Sequence, residues 1–238
     1  MTSPINPDIC DTFEKRAGVA FVDKMLLQQA FTHRSYLNEH VDLPHTHNER
    51  LEFLGDAVLE LSVTDFLYRT YPQKTEGDLT AYRAALVNTI SISNAAKDLR
   101  MDECLLLSRG EARGTEKARQ YILANTFEAV IGAIYLDQGY AAADAFINRH
   151  LTPYIAEVIK RRLWQDAKSY FQERAQDEVG ITPSYSVLEE VGPDHDKEFT
   201  VGVYLGNELV AKGTGRSKQD AEQEAANKGL DAKAWRKE

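Results

Sequence analysis

Apolar positions recur at helical spacing along the first two thirds of the chain. Over residues 8–40, Phe13, Val19, Phe21, Met25, Leu26, Ala30 and Phe31 give a helical reading, with a break at Gly18. A polar, aromatic-tipped segment follows, Thr32-His33-Arg34-Ser35-Tyr36, and then a loop with Pro44, His45 and His47. Asn48 reads as an N-cap, and Glu49 suits the positive first turn of a helix that runs to Tyr71, where Pro72 stops it. Thr75-Glu76-Gly77-Asp78 has the form of a capping box. It opens a helix that passes Arg83, Leu86 and Val87 toward Leu99. Residues 108–119 read as a locally basic loop. Tyr121 to Tyr135 is almost wholly apolar and predicts a buried helix, whose polar residues Asn125 and Glu128 share one face and need partners. An amphipathic helix over about 141–160 closes an all-helical part.

The period changes after about residue 165. A helix over 167–179 is followed by three alternating segments, Ser184–Glu190, Glu198–Leu205 and Glu208–Thr214, with turns at Gly192-Pro193 and Gly206-Asn207. A final Ala-rich helix starts near Ser217. The expected organisation is an all-α domain over 8–160, a linker over 161–165, and a small α+β domain (α-β-β-β-α) over 166–233.

Composition narrows the class. A chain of 238 residues with 43% apolar content supports two cores. No apolar run nears the ~20 residues that span a bilayer, and Met1 to Pro7 lacks the layout of a secretory signal. Two cysteines in unrelated contexts, Cys10 and Cys104, give neither a disulfide framework nor zinc spacing, so the expected setting is cytoplasmic. The net charge of −9 argues against a nucleic-acid binder. Residues 166–238 repeat the objection, with 10 basic against 15 acidic residues.

Candidate chemistry centres on Asn48-Glu49-Arg50-Leu51-Glu52-Phe53-Leu54-Gly55-Asp56-Ala57-Val58-Leu59. Spacings of three and four stack Glu49, Glu52 and Asp56 on one helix face, while Leu51, Leu54, Val58, Leu59 and Leu61 are free to be buried. Carboxylates so close repel one another unless a cation or a proton sits among them. Packed against Asn125 and Glu128, and with Glu76 at the start of a third helix, these oxygens suit Mg²⁺, which takes oxygen ligands plus water and phosphate. Such a site supports phosphodiester hydrolysis. No nucleophile system competes: neither cysteine has a histidine context, and Arg109 to Gly114 lacks the ending of a phosphate-binding loop. His45 and His47 read as solvated loop residues.

The dodecamer resembles the defining motif of the ribonuclease III family. Thr32-His-Arg-Ser-Tyr36, Glu76-Gly-Asp78 and Ile122-Leu-Ala-Asn-Thr-Phe-Glu-Ala129 fall in that family's order and spacing. The resemblance implies a homodimeric, Mg²⁺-dependent endonuclease for double-stranded RNA, with Mn²⁺ a possible substitute. It also implies 5′-phosphate products with short 3′ overhangs, and roles in rRNA and mRNA processing. Glu52, Asp56, Asn125 and Glu128 match the metal-binding quartet, with Asp56 and Glu128 closest to the chemistry. Glu49 and Glu76 match substrate and outer-shell positions, and Phe53 matches a residue that docks across the dimer interface, with ordinary core packing as its other reading. Where the family usually has Asp, this chain has Asn125, whose amide ligates without charge and cannot act as a base. The expectation is an active enzyme with an altered metal requirement; the alternative is a weak or inactive RNA-binding homologue.

Residues 166–233 resemble a double-stranded-RNA-binding domain. Lys168 with Phe171-Gln172-Glu173, Gly192-Pro193-Asp194-His195 with Phe199, and Gly213-Thr-Gly-Arg-Ser-Lys218 carry that likeness. By this resemblance Gln172, Glu173 and His195 suit the shallow minor groove of A-form RNA, and Lys218 meets phosphates at a helix N-terminus. Gln219 stands where a second basic residue is common. The basic groups are expected on one face, with Glu189, Glu190 and Asp231 away from it.

Overall fold

Two long helices that touch at glycine organise the first unit. The protein is described by a computed structural model covering residues 7–40, 46–160, 166–193 and 197–235. Its backbone forms two units, 1–164 and 165–238. The expected linker, 161–165, lies outside the described residues, as do His45 and His195.

The first unit contains α1 (Pro7–Ala17), α2 (Lys24–Ala30), α3 (Arg34–Leu37), α4 (Glu49–Thr70), α5 (Glu76–Leu86), α6 (Thr89–Asp98), α7 (Glu116–Gln138), α8 (Tyr140–His150) and α9 (Ile155–Lys160). Leu51, Leu59, Val63 and Leu67 of α4 pack with Leu123, Phe127, Val130, Ile131 and Ile134 of α7 in one core. The helices can approach so closely because side chains are missing at the contact. A Cβ on Gly55 would lie 1.8 Å from the Glu128 carbonyl oxygen, and one on Gly132 would lie 2.2 Å from that of Leu51. Apolar burial drives the two helices together, and the glycines set how near they come.

Several boundaries differ from the sequence reading. The helix expected to reach Leu99 is two, because Asn88 starts a new one: its side chain accepts from Ser91 N (2.9 Å) and donates to the Ala85 carbonyl (2.7 Å). Pro153, in a short 3₁₀ turn over Thr152–Tyr154, separates α8 from α9 in place of one helix over 141–160. The buried helix starts earlier, at Glu116, where Thr115 Oγ1 accepts from Ala118 N (3.2 Å). Asn48 does not cap α4 with its side chain. It is buried, and its amide donates to the Ala30 carbonyl (3.2 Å), which ties α2 to the start of α4. Leu61 is 58% exposed rather than buried.

The start of α3 and the two residues before it are held from both sides. His33 N donates to Leu106 O (3.1 Å), Asn48 N to Thr32 O (3.0 Å), and Ser108 N to Ser35 Oγ (3.1 Å).

The second unit runs α10 (Ala167–Val179), β1 (Ser184–Val191), β2 (Glu198–Leu205), β3 (Glu208–Gly215) and α11 (Lys218–Ala232). The strands form an antiparallel sheet in the order β1-β2-β3, with a bulge between Val187 and Glu189. Phe171, Ala175, Ala225, Ala226 and Leu230 of the helices meet Val203, Leu205 and Trp235 in a second core. The fold is therefore a helical domain followed by the α-β-β-β-α module. Among the described residues, no helix is long and apolar enough to cross a membrane.

Candidate active site

The Gly55 contact is what brings acids from two helices together. Asp56 follows Gly55 directly, and Gly55 rests on the backbone of Glu128, so the stripe on α4 faces the polar stripe on α7. Glu128 feels this most. Burial, then the charges of Asp56 and Glu52, push its carboxyl up to about 8. Glu52 is also raised, first by burial and then by Glu49 and Asp56, while a hydrogen bond from the Asn125 side chain opposes the rise. That bond gives Asn125 a role beyond passive substitution: it donates to a carboxylate where an aspartate would repel it. Among the described residues no Lys, Arg or His pairs with Glu52, Asp56 or Glu128.

The donor set fits a hard divalent cation. It offers three carboxylates and one amide oxygen, and the half-buried Glu128 is raised first by burial and then by the charges of its two neighbours. Among the described residues no three His, Cys, Asp or Glu side chains close into a ready-made cage. An ion here would complete its shell with water and phosphate, as Mg²⁺ ordinarily does.

Glu49 and Glu76 part company. Glu49 stands at the start of the stripe, 3.3 Å from Arg34 Nη1 and 3.7 Å from His47 Nδ1. Glu76 accepts from Thr80 Oγ1 (3.0 Å) in a groove shared with Tyr68, Lys74 and Arg83. Its charge is not among those that disturb Glu52 or Glu128. Phe53 is 83% exposed, which removes the core-aromatic reading. It borders a groove of about 570 Å³ lined by Leu26, Leu54 and Leu136.

In the second unit Gln172 and Glu173 lie exposed on α10, and Lys218 opens α11 after the Ser217 cap. The charge layout differs from expectation. Glu190 does not lie away from the basic face: its carboxylate is 3.0 Å from Lys218 Nζ, which also sits 5.5 Å from the Phe199 ring centre. Lys168 is paired likewise, with Glu222 at 2.5 Å.

Comparison with known proteins resolves the family. Residues 23–155 match the model described as ribonuclease-III-like, and residues 167–232 match the double-stranded RNA binding motif. A protein named Ribonuclease 3 from Pelotomaculum thermopropionicum is 45% identical over 227 residues, 95% of this chain and 94% of that one. The chain belongs to the ribonuclease III family. Ribonuclease 3 from Bacillus licheniformis is also 45% identical, over 92% of this chain and 87% of its own length. Among solved structures, the ribonuclease III nuclease domain of Campylobacter jejuni aligns with TM-score 0.55 and 38% identity, covering 60% of this chain and 96% of that one. That structure is described for flexibility in a region involved in dimer formation.

As a ribonuclease III, an endoribonuclease, the chain holds features that residue reading passed over. Gly55 was legible as part of the dodecamer, but its work is visible only where α4 meets α7. Arg34 stood inside Thr32–Tyr36 without a partner until the fold laid that segment against Glu49. The Glu190–Lys218 pair had no signal, because the two residues are far apart in sequence.

Proposed function

We propose that this ribonuclease III hydrolyses phosphodiester bonds of double-stranded RNA with Mg²⁺, Mn²⁺ being a possible substitute. In this reading it works as a homodimer in the cytoplasm, in rRNA and mRNA processing, and leaves 5′-phosphates with short 3′ overhangs. The observation that carries the reading is Glu128, a half-buried carboxyl raised by burial and by the charges of Asp56 and Glu52, with no Lys, Arg or His paired to it among the described residues. Glu52, Asp56, Asn125 and Glu128 would hold the ion, which when bound lowers the pKa of a water and polarises the phosphoryl oxygen. Asp56 and Glu128 are the acids nearest the reacting phosphate. Glu128 must give up its proton before it can ligate, and Asn125 fixes the Glu52 carboxylate by hydrogen bonding. The second unit would grip the duplex by shape, through Gln172, Glu173 and Lys218, with His195 as a further proposed contact.

The test is incubation of purified protein with long duplex RNA, with Mg²⁺ and with EDTA, followed by analysis of fragment ends. Cleavage only with Mg²⁺, leaving 5′-phosphates and staggered ends, is expected. Asn125→Asp should lower the Mg²⁺ concentration needed for half-maximal rate. Asn125 also favours a second reading, a duplex-binding homologue without activity. That reading wins if wild type and Asn125→Asp are both inert while Glu128→Gln binds duplex normally.

A further inference from the structure

The acid cluster must receive a polyanion, and the quartet contains no cation to meet it. A guanidinium stands at its edge. Arg34 is 69% exposed, yet its place on the backbone is anchored, because Thr32 and His33 before it are bonded to Asn48 and Leu106 and the Ser35 hydroxyl after it accepts from Ser108 N. Nη1 lies 3.3 Å from Glu49 Oε1. The far oxygen of Glu49 faces His47 Nδ1 at 3.7 Å, and the His47 carbonyl is itself held by Gln29 Nε2 (3.2 Å). Glu49 sits one helical turn before Glu52 and two before Asp56, roughly 10 Å along the α4 axis from end to end. An arginine tied by one nitrogen keeps its other N–H groups for a second anion, and its planar fork suits a phosphate.

We propose that Arg34 binds the RNA phosphate next to the scissile one, and that Glu49 is the positioning residue that holds the guanidinium there. The inference rests on the reading that duplex RNA crosses this face of the nuclease domain. It gives the Thr32–Tyr36 segment a function and explains an acid at Glu49 that lies outside the quartet. Glu49 keeps the arginine extended along the stripe, so the cation is in place before RNA arrives.

The experiment uses the full chain, with duplex binding measured in EDTA across a salt series, so that it does not depend on cleavage. Arg34→Ala should weaken binding about tenfold at physiological salt and reduce the slope of log K against log salt by about one. Arg34→Lys keeps the charge without the fork and should recover the slope but only part of the affinity. In cleavage assays Arg34→Ala should raise KM about tenfold while kcat changes less than threefold, in line with a lost charge-assisted contact. The shift in melting temperature caused by Mg²⁺ alone should be the same in Arg34→Ala as in wild type. The double variant Arg34→Ala/Glu49→Gln should bind no more weakly than Arg34→Ala, since Glu49 acts through the arginine. An unchanged salt slope in Arg34→Ala overturns the phosphate contact, and a double variant that binds more weakly overturns the holding role of Glu49. If wild type fails to cleave but the slope still drops, the nuclease reading falls and the phosphate contact stands. If wild type cleaves and the slope is unchanged, the nuclease reading stands and the phosphate contact falls.

Discussion

Glu128 is the most strongly perturbed acid of the candidate site. A carboxyl raised from about 4.5 to about 8 is protonated at neutral pH in the metal-free fold. Between those values the folded state binds a proton that the unfolded chain does not, so stability falls as pH rises from about 5 through 8. The metal-free protein should therefore lose melting temperature over that range. Glu128→Gln should flatten the slope and melt a few degrees higher at pH 8, as differential scanning calorimetry in EDTA would show; an unchanged slope would mean Glu128 is already ionised. Because a cation competes with the same proton, Mg²⁺ affinity in wild type should strengthen as pH rises toward 9. The acids themselves were legible as a stripe of helical spacing. The strength of the perturbation was not, since it comes from burial and from charges on another helix.

Among the elements, the α4–α7 crossing decides whether there is a site at all. A methyl at Gly55 would sit 1.8 Å from the Glu128 carbonyl oxygen, a backbone atom that can retreat only if the helices separate. Overpacking of this kind costs about 1–3 kcal/mol or more. Gly55→Ala should lower the melting temperature and also weaken the shift caused by Mg²⁺, because separating the helices parts Asp56 from Glu128. Gly77→Ala is the control. Its Cβ would meet nothing closer than Thr75 Oγ1 at 3.8 Å, and α5 should gain up to about 1 kcal/mol of helix propensity. Equal losses in both variants would rule out close helix approach as the reason for Gly55. The elements were largely readable from apolar spacing and caps. The misread ends have local causes: an asparagine that caps at 88, a proline at 153, and an Asn48 drawn into a tertiary clamp.

At the scale of the whole molecule, α4 presents an outward row the core does not use. Phe53 and Leu61 are 83% and 58% exposed, and Tyr68 is 72% exposed on the same helix. An aromatic so exposed beside an apolar groove fits the proposed dimer. Phe53→Asp should shift sedimentation toward the monomer without lowering the monomer's melting temperature, since the side chain has little to lose within its own chain. A wild type that sediments as a monomer at micromolar concentration would remove this role. The acidic balance reads differently once pairs are assigned. Lys218 and Lys168 are matched by Glu190 and Glu222, so the acids of the second unit are not segregated from its basic groups.

The sequence alone determined the two folding patterns, because helical and alternating periods are properties of neighbouring residues, and it named the acids that share a helix face. What only the tertiary structure decided was contact between residues distant in the chain. Gly55 against Glu128, Arg34 against Glu49 and Glu190 against Lys218 each depend on how helices and strands pack. Packing sets distance and burial, and these in turn set whether a carboxylate is a solvated surface charge or half of a site.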